Sequence, residues 1–179
     1  MLKIELFIVL IIYGLLQGQA RLSIHQLEME IYNTQNVSLY DDELIPLFRS
    51  TESNRTLDRT VFGYYPYWMG SAWLDLDYSL LSTIAYFGAE TNSTGGIDNW
   101  HSWPPNNLIS TAHSAGVEVV LTVTLFNSNA ISSLLSNSTY IQNLITTLTN
   151  SVSSAGADGV NIDFEGLPSS QKENMVQFI

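Results

Sequence analysis

Asp158-Gly159-Val160-Asn161-Ile162-Asp163-Phe164-Glu165 decides how this chain is read. Val160, Ile162 and Phe164 alternate with Asn161, Asp163 and Glu165. A period of two marks a β-strand whose two faces meet different surroundings. One face is apolar; the other carries an amide and two carboxylates. The plainer reading is a solvated strand end following an Asp-Gly turn. Against it, the two acids share one face, two residues apart, so their charges interact. The residues between are β-branched or aromatic, as suits a buried strand. A Glu presented beside an Asp at a strand end is a credible acid/base site.

Working back from that strand, apolar segments alternate with helical ones. Thr60 to Tyr65 reads as a first strand, ending in Pro66-Tyr67-Trp68, and Leu80 to Phe87 as a second. Residues 91–105 form a loop rich in Gly, Asn, Pro and Trp. Asn106 to Ala115 reads as a helix stopped by Gly116. Val117 to Phe126 is a third strand. Ala130 to Ser154 is helical in two pieces, broken around Asn137-Ser138 and closed by Gly156. Gly159 to Phe164 is then the fourth strand, and Pro168-Ser169 opens another helix. Apolar strands alternating with helices are the signature of repeated βα units on a parallel sheet. Polar and aromatic residues gather just past the strands: Tyr67 and Trp68, Glu90, Asn127, Glu165. In α/β folds that end of the strands carries the active site. No glycine-rich phosphate loop follows the first strand, which argues against a nucleotide fold.

The 179 residues are 45% hydrophobic and 13% charged, enough apolar material for one sizeable core. The net charge is −11, with six Lys and Arg together. A phosphate-binding surface needs basic residues that this chain lacks, so nucleic acid and anionic membrane surfaces are not expected partners. A neutral substrate fits this charge better. With no cysteine, disulfides, thiolate metal sites and cysteine nucleophiles are excluded. His25, His101 and His113 show no metal-ligand spacing, so neither metal nor cofactor is expected.

Residues 1–20 read as a secretory signal: Lys3, an apolar run from Leu6 to Leu16, then Gly18-Gln19-Ala20. The run is short of the about 20 residues that a bilayer takes, and no other stretch would span one. The mature protein is therefore expected outside the cell, or in the periplasm if bacterial. Asn36, Asn54, Asn92 and Asn137 stand in Asn-x-Ser/Thr sequons, a pattern that a chain rich in these residues produces by chance. Residues 21–58 read as a polar leader and linker, and residues 59–179 as the main domain. The chain ends at Met175-Val176-Gln177-Phe178-Ile179, inside an apolar helix face, and is expected to be part of a longer protein.

Asp158-Gly159-x-Asn161-x-Asp163-x-Glu165 resembles the signature Asp-Gly-x-Asp-x-Asp-x-Glu of glycoside hydrolase family 18, the chitinase-like (β/α)8 barrels, which carry it on the fourth strand. Gly63-Tyr64-Tyr65-Pro66-Tyr67-Trp68 is similar to that family's opening strand. The resemblance covers residues 59–179 and implies a TIM barrel truncated to about its first four βα units. It implies that Glu165 is the general acid and that Asp163 orients the substrate's acetamido group. Asp158 matches the first motif Asp, usually structural. Asn161 stands where the family most often has Asp, and an amide there can donate a hydrogen bond to Asp163 without adding charge. Tyr65, Tyr67, Trp68 and Glu90 are the candidate substrate-binding residues, Trp68 foremost among the tryptophans Trp68, Trp73, Trp100 and Trp103 because it follows the first strand directly. Tyr86 and Phe87 are expected in the core.

The implied activity is substrate-assisted, retaining cleavage of β-1,4-linked N-acetylglucosamine polymers such as chitin. Alternatives are a peptidoglycan- or N-glycan-directed N-acetylglucosaminidase and a non-catalytic carbohydrate-binding relative. The third strand, Leu121-Thr122-Val123-Thr124-Leu125-Phe126, lacks the family's Ser-x-Gly-Gly, which bears on the cleft and the substrate subclass. A barrel of this kind takes about 250 residues, so four strands leave open edges and the chain alone is expected to be poorly stable and inactive.

Overall fold

The computed structural model describes residues 22–35, 57 and 59–179. The expected signal segment and much of the leader lie outside these residues. The chain divides into two compact units between Val37 and Ser38. In the first, helix α1 spans Ile24–Gln35, within what reads from sequence as a polar leader. Its start is a capping box: Ser23 Oγ accepts the Gln26 N–H at 3.0 Å, and Gln26 Oε1 accepts the Ser23 N–H at 2.9 Å.

The second unit is an α/β layer. Its elements are β1 (Phe62–Pro66), β2 (Thr83–Thr91), β3 (Ile97–Asn99), α2 (Asn106–Ser114), β4 (Glu118–Leu125), α3 (Ser128–Leu135), α4 (Ser138–Ala155), β5 (Gly159–Phe164) and α5 (Lys172–Phe178). Short 3-10 turns at Tyr67–Met69, Ala72–Asp75 and Tyr78–Leu80 join β1 to β2. β1, β2, β4 and β5 form one parallel path in that order, and β3 pairs antiparallel on β2. The 158–165 strand is thus fourth along the parallel path.

The helix boundaries follow their punctuation. Gly116 ends α2 in the left-handed region at φ 76°, with the Val117 N–H returning to Ala112 O. Asn137 breaks the long helical stretch because its side chain accepts the Thr139 and Tyr140 N–H groups, capping α4. Gly156, at φ 64°, closes α4.

β2 runs longer than its apolar pattern. It passes through Gly88, where a bulge shifts the register between Phe87 and Ala89, and continues to Thr91. A Cβ at Gly88 would lie 2.9 Å from Thr122 O, so only glycine lets the neighbouring backbone approach this closely. The stretch read as loop contains β3. Asn92 builds the hairpin turn: its Oδ1 accepts from Thr94 and Gly96 N–H, and its Nδ2 donates to Asp98 at 2.6 Å.

The two faces of the sheet differ in character. On one, Ile84, Tyr86, Val119, Leu121 and Val123 pack against Leu108 and Ala112 of α2, Ile131 and Leu134 of α3, and Leu144 and Leu148 of α4. Ile162 and Phe164 join this face, and Phe164 stacks on Phe178 of α5 at 5.9 Å. Ile162 and Phe164 of the motif strand therefore point to the helices, while Val160, at the start of the strand, stays exposed. The opposite face carries Tyr64, Ala85, Phe87, Thr122, Thr124, Asn161 and Asp163 by alternation. Thr122 and Thr124 are fully enclosed there, as are Ala85 and Phe87.

Gly95 sits at φ 81°, and a Cβ there would fall 2.1 Å from Tyr140 O in the first turn of α4. Gly116 has the same handedness but open space around it. Gly95→Ala should therefore cost about 3 kcal/mol in urea unfolding, combining strain with a backbone clash. Gly116→Ala should cost about 1 kcal/mol, the conformational penalty alone. Equal losses would contradict the close hairpin–α4 approach.

Candidate active site at the strand ends

β5 presents its polar side chains in register with threonines of β4: Asn161 opposite Thr122 and Asp163 opposite Thr124. Glu165 is the first residue past the strand. Its backbone N–H donates to Leu125 O at 3.1 Å, which extends the β4–β5 pairing to the acid itself. The next residue turns sharply: Gly166 has φ 76°, and its carbonyl accepts the Ser128 hydroxyl at 2.6 Å. The N-terminus of α3 thus fixes the turn behind Glu165. Asn161, Asp163 and Glu165 are all half-buried.

Asn161 does not donate to Asp163. Its amide Nδ2 donates to Tyr64 Oη and to Thr122 Oγ1, each at 3.3 Å. The reason is lateral reach. An amide on β5 meets the hydroxyl of its register partner on β4 and, across the same face, the phenol from β1, whereas Asp163 lies one full repeat further along its own strand. Tyr64 is a site residue that the sequence reading missed. Tyr64 alternates with the core-facing Tyr65, but nothing in the sequence placed it on the face of the acids. Thr124, opposite Asp163, spends its hydroxyl on Ala89 O at 3.2 Å, tying β4 to the bulge in β2.

Asp158 lies at the other end of the same strand, seven residues or about 20 Å of extended chain from Glu165. It accepts the Val119 N–H at 2.7 Å and pairs with His113 Nε2 at 2.7 Å, while its own N–H donates to Val119 O. Partial burial alone would raise its carboxyl; the Val119 N–H and His113 outweigh that and hold it below the ordinary value of 3.8. Asp158 therefore locks the entry of β5 onto β4 and does not reach the acid end.

The candidate substrate residues divide between the two faces. Trp68 is 8% exposed and packs edge-on against Tyr67 at 4.8 Å and Phe87 at 5.8 Å. Glu90 pairs with His101 Nε2, and Tyr67 stacks flat on the His101 ring at 3.8 Å. Tyr65 turns to the helix side, where its hydroxyl donates to Gly70 O and accepts the Trp73 N–H at 2.8 Å. Trp103 is core, its Nε1 donating to Ser151 at 2.9 Å, and Trp100 packs against that core. Tyr86 and Phe87 are buried as expected.

No protein-family model and no curated protein sequence matches this chain. Solved structures do. A chitinase from Bacteroides thetaiotaomicron superposes with a TM-score of 0.60 at 17% identity, over 66% of this chain and 40% of that one. The spore cortex-lytic enzyme of Bacillus cereus gives 0.56 at 17% identity, over 70% of this chain and 32% of that one. A glycoside hydrolase family 18 chitinase from Cycas revoluta, solved with an N-acetylglucosamine tetramer, gives 0.55 at 17% identity, over 65% and 37%. The chain thus spans well under half the length of these neighbours. At such identities the likeness is one of fold: the parallel α/β sheet has the chitinase-like, TIM-barrel-like arrangement.

The Asp158 contacts make a sign-specific prediction. A depressed carboxyl contributes stability that is present above pH 3.8 and is lost as pH falls through its lower folded value. Asp158→Asn should lower the unfolding midpoint at pH 7 and flatten its fall below about pH 4. A variant with the parent's acid dependence would contradict the lock.

Proposed function

We propose that the protein is a glycoside hydrolase of family 18, cleaving β-1,4-linked N-acetylglucosamine polymers of the chitin class. One observation carries this reading: the motif strand ends with Glu165 past the C-terminal edge of a parallel sheet, on the face shared by Asp163, Asn161 and Tyr64. That edge is where α/β folds place their chemistry. The fold likeness to chitinases supports it.

The chemistry follows from the residues present. Family 18 departs from the two-carboxylate scheme of most glycosidases. The substrate's own N-acetyl carbonyl oxygen attacks the anomeric carbon, and the bond to the leaving oxygen breaks. Glu165 gives its proton to that oxygen. Asp163, one residue pair back on the same face, receives the acetamide N–H and orients the attacking carbonyl. Water then opens the oxazolinium intermediate, returning its proton to Glu165, and two inversions leave the configuration retained.

Asn161 adds no charge to this face and fixes Tyr64 and Thr122. A proton shared between residues 161 and 163 is therefore not part of this mechanism, and the pH profile should differ from that of relatives with Asp at position 161. A cell-wall substrate is the second reading, favoured by the spore cortex-lytic enzyme among the structural neighbours. The signal-like residues 1–20 support action outside the cell. Among the described residues no helix is long and apolar enough to cross a membrane.

The test is hydrolysis of an aryl chitobioside and of a peptidoglycan digest by the full-length protein. Glu165→Gln should lower kcat by about 100-fold or more, the scale of a lost general acid, with little change in KM. Full activity in that variant would remove Glu165 from the mechanism. Binding without hydrolysis in the parent would make the protein a carbohydrate-binding relative.

A further inference from the structure

Across the sheet from the Asn161–Asp163 face, a cleft of about 470 Å3 opens between the turns that follow β1 and the segment entering α2. Its floor is Tyr65 and Tyr86, register partners on β1 and β2 and both buried. Tyr64, next in sequence to Tyr65, accepts from Asn161, so alternation along the strand places the floor on the other side from the carboxylates. Tyr67 and Trp73 form walls, and Asn106 and Asn107 stand at the exposed rim.

The walls are held in place. The Trp73 N–H donates to Tyr65 Oη at 2.8 Å, and the Trp73 carbonyl accepts the Tyr78 hydroxyl at 2.8 Å, so both sides of its backbone are anchored by phenols. Tyr67 lies flat on His101, 9° from parallel, and His101 is itself paired with Glu90. His101 and Ser102 both have positive φ, 45° and 63°, a local cost of the kind that binding sites carry. The Tyr86 hydroxyl donates to His101 O at 2.7 Å, so floor and wall are one network. Burial, with Tyr65 and Tyr67 beside it, pushes Tyr86 up to about 12, which keeps that phenol uncharged at neutral pH.

We propose that this cleft is a second binding site, separate from the Glu165 face, for a neutral saccharide. Its described lining residues include no Lys, Arg, Asp or Glu. Fixed aromatic planes match the C–H faces of pyranose rings, and rim amides match their hydroxyls. The volume falls within the about 300–1,000 Å3 of small-ligand sites. A charged ligand would find no counter-ion among those residues, and a purely apolar one would make no use of the rim amides. Because the walls are anchored in advance, little ordering is left for the ligand to impose. Glu90, read from sequence as a substrate contact, acts here as a positioning residue: it holds His101, and His101 holds Tyr67.

The proposal is independent of hydrolysis. Isothermal titration of the protein with an N-acetylglucosamine trisaccharide and with cellotriose tests it, with folding of each variant checked by circular dichroism. Saturable binding of at least one trisaccharide is expected. Trp73→Ala should weaken it by about tenfold or more. Asn107→Ala, on the exposed rim where folding is not at stake, should weaken it by about threefold to tenfold. No saturable binding of either sugar would overturn the proposal. So would binding unmoved by both substitutions, which would place the sugar elsewhere on the protein.

Discussion

The pairing of β5 on β4 is the constraint on which the site depends. A one-residue slip would exchange the two faces of β5, turning Asn161 and Asp163 into the helix-packed core and Ile162 and Phe164 away from it. The register is held at both ends by polar contacts. At the entry, Asp158 grips the Val119 backbone through its carboxylate and its own N–H. At the exit, the Glu165 N–H continues the ladder onto Leu125 O. Between them, Ile162 and Phe164 gain burial only in the observed register. The signature residues at 158 and 165 thus do different work at opposite ends of one strand.

What the sequence disclosed, and what it hid, divides by range. Local chemistry was legible. Gly116, Asn137 and Gly156 mark helix ends because each supplies a left-handed φ or a capping oxygen within a few residues. The period of two in β5 correctly separated its core face from its polar face. The apolar pattern of β2 stops at Phe87, whereas in the sheet the strand continues through Gly88, the residue that admits the Thr122 carbonyl. β3 was hidden among turn-forming residues that do build a turn, but one that closes a hairpin.

Long-range partners were not legible at all. Asn161 and Tyr64 are 97 positions apart, and His113 and Asp158 are 45 apart. Nothing in either local pattern names the other. The expected Asn161–Asp163 bond failed for that reason: intrastrand neighbours on one face are visible in sequence, but the cross-strand partners that compete for the amide are not. The aromatic residues after β1 show the same limit. Tyr64 and Tyr65 are adjacent in sequence, yet the pleat sends Tyr64 to the carboxylate face and Tyr65 to the opposite cleft.

The proposed function puts cleavage of an N-acetylglucosamine polymer on the polar face of β5, ending in Glu165. A crystal structure of the protein carrying Glu165→Gln, soaked with an N-acetylglucosamine tetramer, tests it directly. The sugar should lie on the Tyr64–Asn161 side of the sheet, with a glycosidic oxygen within hydrogen-bond reach of residue 165 and an acetamide N–H on Asp163. Density for the sugar only elsewhere, with that face empty, would contradict it.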